Sequence, residues 1–284
     1  MSNGKQFPPR EWEIQDSQIE IAGIPDKYTD KSPLRYPGGK SRAIQMINQY
    51  VPKNITHVVS PFVGGASLEL WWASRGITVA AGDLYYPLIN FWREAQHSPK
   101  KMAEWCYKYY PMDEFDHDDF DEVKAIYGQR HDDDTVSTAF EDACYFYILN
   151  RTSYAGMGAI AGMMTDTPSY TVRLLRLLYN LKCPKINFHY ADFSGLLEQD
   201  RECFAYCDPP YWMEDQFYCI EANKDFDHER LLRSLERREG PWIVSYNDCP
   251  EVRDLYKHYQ IVKVDWAYSM GDKRECKEVL ILNT

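Results

Sequence analysis

The chain has 284 residues, 44% hydrophobic and 26% charged, an ordinary globular balance that suits one large domain or a main domain carrying an insertion. Its formal net charge of −11 argues against a simple basic nucleic-acid binder, because phosphate contacts need Lys and Arg. The absence of any run of about 18 apolar residues argues against a helical membrane span.

The N-terminus, MSNGKQFPPREWEIQDSQ, is polar and has no apolar signal core. The expected location is therefore the cytoplasm, bacterial or, for a viral protein, that of the host. Residues 1–31 read as an N-terminal extension without clear periodicity. From Ser32, SPLRYPGGKSRAIQMINQYVP reads as a turn followed by an amphipathic helix, with Ala43, Ile44, Met46, Ile47 and Tyr50 as its apolar residues.

Seven segments then read as strands: 56–62, 77–83, 185–192, 203–209, 242–248, 259–266 and 277–283. The early ones are near-continuous apolar runs, as parallel strands covered on both faces should be. Helical stretches separate most of them, namely SLELWWASRG, LYYPLINFWREAQ and DHERLLRSLERREG. Alternation of strand and helix predicts an α/β fold. Residues 93–180 break the alternation and read as a mostly helical insertion, of the kind that commonly carries specificity. The insertion holds much of the acidic excess, in DEFDHDDFD (113–121) and Asp132, Asp133 and Asp134, a stretch that could also engage a basic partner. Eight cysteines show neither a CxxC pair nor a zinc spacing. They are expected to be reduced packing residues, and no metal is expected.

Three strand ends carry chemistry. SPFVGGAS (60–67) closes the first strand and opens a helix. Its small residues would let a ligand approach backbone N–H groups, although a plain tight β–α turn reads the same way. Asp83 lies at the tip of the next strand, about 20 positions after that turn, where a carboxylate can accept both hydroxyls of a ribose. A helix cap is the alternative there. Asp208, Pro209, Pro210 and Tyr211 follow the apolar strand CFAYC. The two prolines stiffen the segment and remove donors, leaving a carboxylate, a carbonyl and an aromatic face at a strand end. That set suits an amino group on a flat base: two acceptors for its hydrogens and a ring to stack on it.

LRYPGGK (34–40), SPFVGG (60–65), AGD (81–83), NRTSY (150–154), YCDPPY (206–211), SYND (245–248) and EVLILN (278–283) occur in that order. Together they resemble the Dam-like class of DNA adenine-N6 methyltransferases over roughly residues 32–284. The resemblance implies a Rossmann-like class I methyltransferase sheet of seven strands, the last antiparallel. It implies a catalytic domain of 32–92 and 181–284 that binds S-adenosylmethionine, with 93–180 as the inserted target-recognition domain. It further implies that Tyr36 and Lys40 contact the cofactor, that Asp83 binds its ribose, that Phe62 and Gly64 line its pocket, and that Asp208 faces both cofactor and target amine. Asp192, in YADF, resembles the acid that holds the cofactor's adenine amino group, with a helix cap as the alternative. Arg151 and Tyr154, in the NRTSY motif, and Arg173 and Arg176, in the most basic stretch of the insertion, are the candidate contacts to double-stranded DNA. The chain departs from the family in having Arg35-Tyr36-Pro37 where many members have Lys-Trp-Ala, Ala66 where a third Gly is common, and an acidic insertion.

The expected reaction is transfer of a methyl group to N6 of an adenine flipped from the duplex. Cytosine N4, an RNA adenine, and a catalytically silent binding protein on the same frame are the competing readings. A dehydrogenase fits poorly, because SPFVGGAS is not GxGxxG.

Overall fold

The computed structural model describes residues 30–132, 138–164, 170–212, 226–264 and 278–283. Most of the N-terminal extension, Asp133, Asp134 and the outer ends of the last two expected strands lie outside the described residues.

All seven expected strands form, slightly shorter than the apolar runs that announce them: β1 His57–Ser60, β2 Thr78–Asp83, β3 Ile186–Tyr190, β4 Phe204–Cys207, β5 Trp242–Asn247, β6 Gln260–Val264 and β7 Glu278–Asn283. They make one sheet in the order β3-β2-β1-β4-β5-β7-β6. β3, β2, β1, β4 and β5 pair in parallel, while β7 runs antiparallel to both β5 and β6. This is the Rossmann-like α/β sheet with an antiparallel last strand. The central strands β4 and β7 are buried along almost their whole length, whereas the edge strands β3 and β6 expose part of theirs. That is why the central strands read as unbroken apolar runs.

Helices cover both faces. α2 Ser67–Ser74 follows β1, α3 Tyr86–His97 follows β2, α8 Phe193–Gln199 follows β3, α9 His228–Glu236 precedes β5 and α10 Pro250–Leu255 follows it. In α9, Leu231 and Leu235 face inward and the side chain of Asp227 caps the first turn through the Arg230 N–H at 2.7 Å. The amphipathic helix expected after the PGG turn shrinks to α1, Ile44–Ile47. Three-residue turns on either side of it bring Ala43 and Ile47 into the core without a longer helix.

The helical segment holds α4 Pro99–Tyr109, α5 His117–Asp132, α6 Ala139–Thr152 and α7 Val172–Tyr179. A boundary between residues 92 and 93 falls inside α3. Trp92 stacks on Phe188 of β3 at 5.5 Å, and the preceding Phe91 stacks on Tyr147 of α6 at 5.9 Å. One apolar core therefore runs from the sheet face at Val58 and Val79 through α3 to Trp105, Tyr147 and Leu175. A second core, with Leu196, Leu231, Trp242 and Tyr256, fills the opposite face. Among the described residues no helix is long and apolar enough to cross a membrane.

Candidate active site

Strand order reverses between β1 and β4: β1 continues outward to β2, and β4 to β5. At such a switch point the loops beyond the strand ends part and leave a crevice. Here the parting loops are Pro61–Ala66 and the segment starting at Asp208. Between them lies a cleft lined among others by Tyr36, Lys40, Phe62, Gly64, Asp83, Asp208 and Pro210. Residues 172 positions apart in the chain, Tyr36 and Asp208, are brought to one cavity.

The β1–α2 turn is held from three sides. Gly64 has φ +43° and Ala66 φ +51° at the helix N-cap. The Val63 N–H donates to Gly82 O at 2.8 Å, and Trp92 Nε1 donates to Gly64 O at 3.0 Å. A Cβ on Gly64 or Gly65 would sit 3.0 Å from the Tyr36 side chain. Tyr36 thus packs closely against both glycines, and a side chain at either would have to push its ring aside. Tyr36 is placed by its own neighbour. Asn150 of α6 clasps Arg35, accepting from its N–H at 2.9 Å and donating to its carbonyl at 2.7 Å, and also donates to Gly156 O at 3.0 Å. Sequence reading found Asn150 only as the first letter of a motif; nothing local marks it as the tie between α6 and the Tyr36 loop.

The cleft is anionic. Three carboxylates, Glu69, Asp83 and Asp208, line it together with the ammonium of Lys40. Burial pushes Asp208 up to about 6, against the lowering effect of Lys40. Burial likewise takes Asp83 to about 6, while the N–H groups of Tyr85, Gly64 and Leu84 hold it down. Asp83 Oδ1 accepts from Tyr85 N at 3.0 Å, yet Tyr85 itself is the N-cap of α3, so Asp83 braces the turn and still faces the cleft. Glu69, which sequence reading missed, is pushed by burial to about 7 although it accepts a 2.5 Å bond from Ser60 Oγ. Its only sequence signal is an acid in the first turn of an otherwise apolar helix.

At the β4 end, Lys40 Nζ lies 2.8 Å from Asp208 Oδ1, donates to Gly38 O at 2.8 Å, and stands 5.0 Å from the centre of the Tyr211 ring. A nitrogen held by a carboxylate over an aromatic face is the arrangement a ring-borne amino group would need. Tyr211 is itself buried, 5% exposed, and its hydroxyl donates to Glu278 Oε2 at 2.6 Å.

Two candidate residues stand apart from the cleft. Asp192 lies outside its lining and caps α8: it accepts from Ser194 N at 3.0 Å and forms a two-point ion pair with Arg230 at 2.7 and 3.1 Å. Arg151 is no surface contact. It is 6% exposed because α6 is buried from Ala143 through Thr152, and burial lowers its pKa. Tyr154, by contrast, is 67% exposed, and it follows the Ser153–Met163 bridge in a loop seated on Arg35. Arg173 is exposed and Arg176 half-buried on α7. Part of the acidic stretch has a local use, since Asp116 Oδ1 accepts from the N–H groups of Asp118 and Asp119 as α5 begins, where negative charge also suits the helix dipole.

This sheet, with its cleft at the β1/β4 switch point and acids at the ends of β2 and β4, is consistent with the Rossmann-like class I methyltransferase fold. The chain belongs to the family of D12 class N6 adenine-specific DNA methyltransferases, which matches residues 36–270. It is 25% identical to the retron Ec67 DNA adenine methylase of Escherichia coli, over 88% of this chain and 90% of that protein. It is 21% identical to the type II methyltransferase M.CviBI of Paramecium bursaria Chlorella virus NC1A, over 88% of this chain and 98% of that one. Among solved structures, the precorrin 8W decarboxylase of Methanobacterium thermoautotrophicum aligns with a TM-score of 0.40 and 12% identity, covering 90% of this chain and 96% of that chain.

Proposed function

We propose that this adenine-specific DNA methyltransferase takes its methyl group from S-adenosylmethionine held in the cleft, and delivers it to N6 of an adenine turned out of double-stranded DNA. The observation that carries this reading is the position of the Lys40 ammonium, on Asp208 and over Tyr211, which marks a site for nitrogen on a flat ring. The cleft also fits the donor. Three carboxylates against one ammonium favour a ligand carrying positive charge. Phe62 forms an apolar wall, backed by Phe193 and Phe226 at 5.6 and 5.7 Å, suited to a purine face.

S-adenosylmethionine supplies a methyl group activated by a sulfonium. The chain's residues do the rest. Asp83, at the tip of β2, accepts the ribose hydroxyls, and Gly64 with Tyr36 shapes the floor beneath them. Lys40 holds the anionic end of the donor's amino-acid portion. Asp208 and the carbonyl of Pro209 accept the two N6 hydrogens, which favours a more tetrahedral nitrogen with its lone pair free. Pro209 and Pro210 keep these acceptors rigid, so the gain lies in positioning. Tyr211 offers its ring to the base. Lys40 stands at that amine position and has to withdraw before the base enters. The helical segment 93–180, through Tyr154 and Arg173, meets the DNA.

Isothermal titration with S-adenosylhomocysteine tests this directly. Wild type should bind it, Asp83→Asn should weaken binding about tenfold, and Asp208→Asn should abolish methylation while keeping the ligand. A wild-type chain that binds no S-adenosylhomocysteine would overturn the reading.

A further inference from the structure

Glu278 is the first residue of β7, 2% exposed, paired with Asn247 of β5 on one side and Val264 of β6 on the other. A carboxylate in the middle of a sheet carries a desolvation cost that an apolar residue would avoid. Its position acquires a purpose from the Tyr211 hydroxyl, 67 residues away in the chain and 2.6 Å away in space. That hydroxyl has one hydrogen, and it is given to Glu278. The neighbouring backbone is fixed from the same strand pair: Asn247 accepts from Trp212 N at 3.1 Å and donates to Trp212 O at 2.9 Å. The Tyr211 ring is further bracketed by Lys40 and by Tyr246, whose ring centre is 6.2 Å away.

We propose that Glu278 is a positioning residue for methyl transfer, holding the Tyr211 hydroxyl so that the ring is fixed beside Asp208. This rests on the functional reading above. Glu278 touches neither donor nor base; it acts through Tyr211. Removing its acceptor loosens the ring, which should slow the chemical step and leave donor binding unchanged.

The test uses the full chain with S-adenosylmethionine and adenine-unmethylated genomic DNA, comparing wild type, Glu278→Gln, Glu278→Leu, Tyr211→Phe and the Glu278→Leu/Tyr211→Phe pair. Gln keeps an acceptor, so its kcat should stay within about threefold of wild type. Glu278→Leu and Tyr211→Phe should each lower kcat about tenfold or more, with KM for the donor and Kd for S-adenosylhomocysteine unchanged within about twofold. The double variant should be no slower than the worse single one, because both changes remove the same bond. Multiplicative losses in the double variant, or a Tyr211→Phe enzyme at wild-type kcat, would overturn the proposal. The second outcome holds even if Glu278→Leu does not fold. Failure of the functional reading looks different: wild type itself would bind no S-adenosylhomocysteine.

Discussion

Asp208, Asp83 and Glu69 line one cleft, and burial makes all three hold their protons above the ordinary carboxylate range. Acids raised in the folded state give stability that is full below their unfolded values of 3.8 and 4.5 and is lost as pH rises through about 6 for the aspartates and about 7 for Glu69. Glu69→Gln keeps an acceptor for Ser60 and removes the charge. Its ligand-free Tm at pH 8 should therefore exceed that of wild type by about 2 °C or more, and the gap should close toward pH 5; a gap that widens toward pH 5 would contradict the assignment. Asp208 is the stronger acceptor of amine hydrogens when ionised, so kcat/KM for DNA should rise with pH through about 6 and level off above it. Of the candidate residues, Asp83, Asp208, Tyr36, Lys40, Phe62 and Gly64 were legible because the prolines, glycines and strand ends that place them are local signals. Glu69, Glu278 and the burial of Arg151 were not, since each depends on which distant residue stands opposite. Asp192 was legible only as a pair of alternatives, and α8 takes it as a cap.

At the scale of elements, two loops and one helix carry the site. The β1–α2 turn is packed so closely by Tyr36 that Gly65→Val should displace the ring and weaken S-adenosylhomocysteine binding about tenfold, measurable by titration calorimetry with Tm as a control for folding. Asn150 closes the connection between α6 and the Tyr36 loop with three hydrogen bonds. Asn150→Ala leaves the Arg35 N–H and carbonyl without that partner and should cost about 1–3 kcal/mol in urea unfolding, with a rise in KM for the donor. A change within error on both counts would show that the tie does not set the loop. The strands were readable from apolar runs, and α2, α3 and α9 from their spacing. α1 was overestimated, since five apolar residues suggested a full helix where buried turns do the packing. The segment 93–180 was readable as helical. Its shared core with α3 was not, because stacking of Trp92 on β3 and Phe91 on α6 leaves no trace in the linear order.

For the whole molecule, a net charge of −11 and a DNA substrate are reconciled only if the basic side chains that meet the duplex are few and local. Arg173, exposed on α7, is the clearest candidate. Arg173→Glu should weaken DNA binding and reduce the slope of log Kd against log salt by about one unit, while S-adenosylhomocysteine affinity stays constant. An unchanged slope would move the interface away from α7. The sheet sets the frame for the chemistry: its switch point places the acid at the end of β4 and the acid at the end of β2 on one cleft, and β7 reaches across to hold Tyr211 from behind. The most direct measurement is mass spectrometry of nucleosides from adenine-unmethylated DNA incubated with S-adenosylmethionine and either wild-type or Asp208→Asn enzyme. N6-methyldeoxyadenosine should form with wild type and fall at least about 10²-fold with Asp208→Asn. Methylated cytosine in its place, or equal N6-methyldeoxyadenosine from both enzymes, would contradict the account.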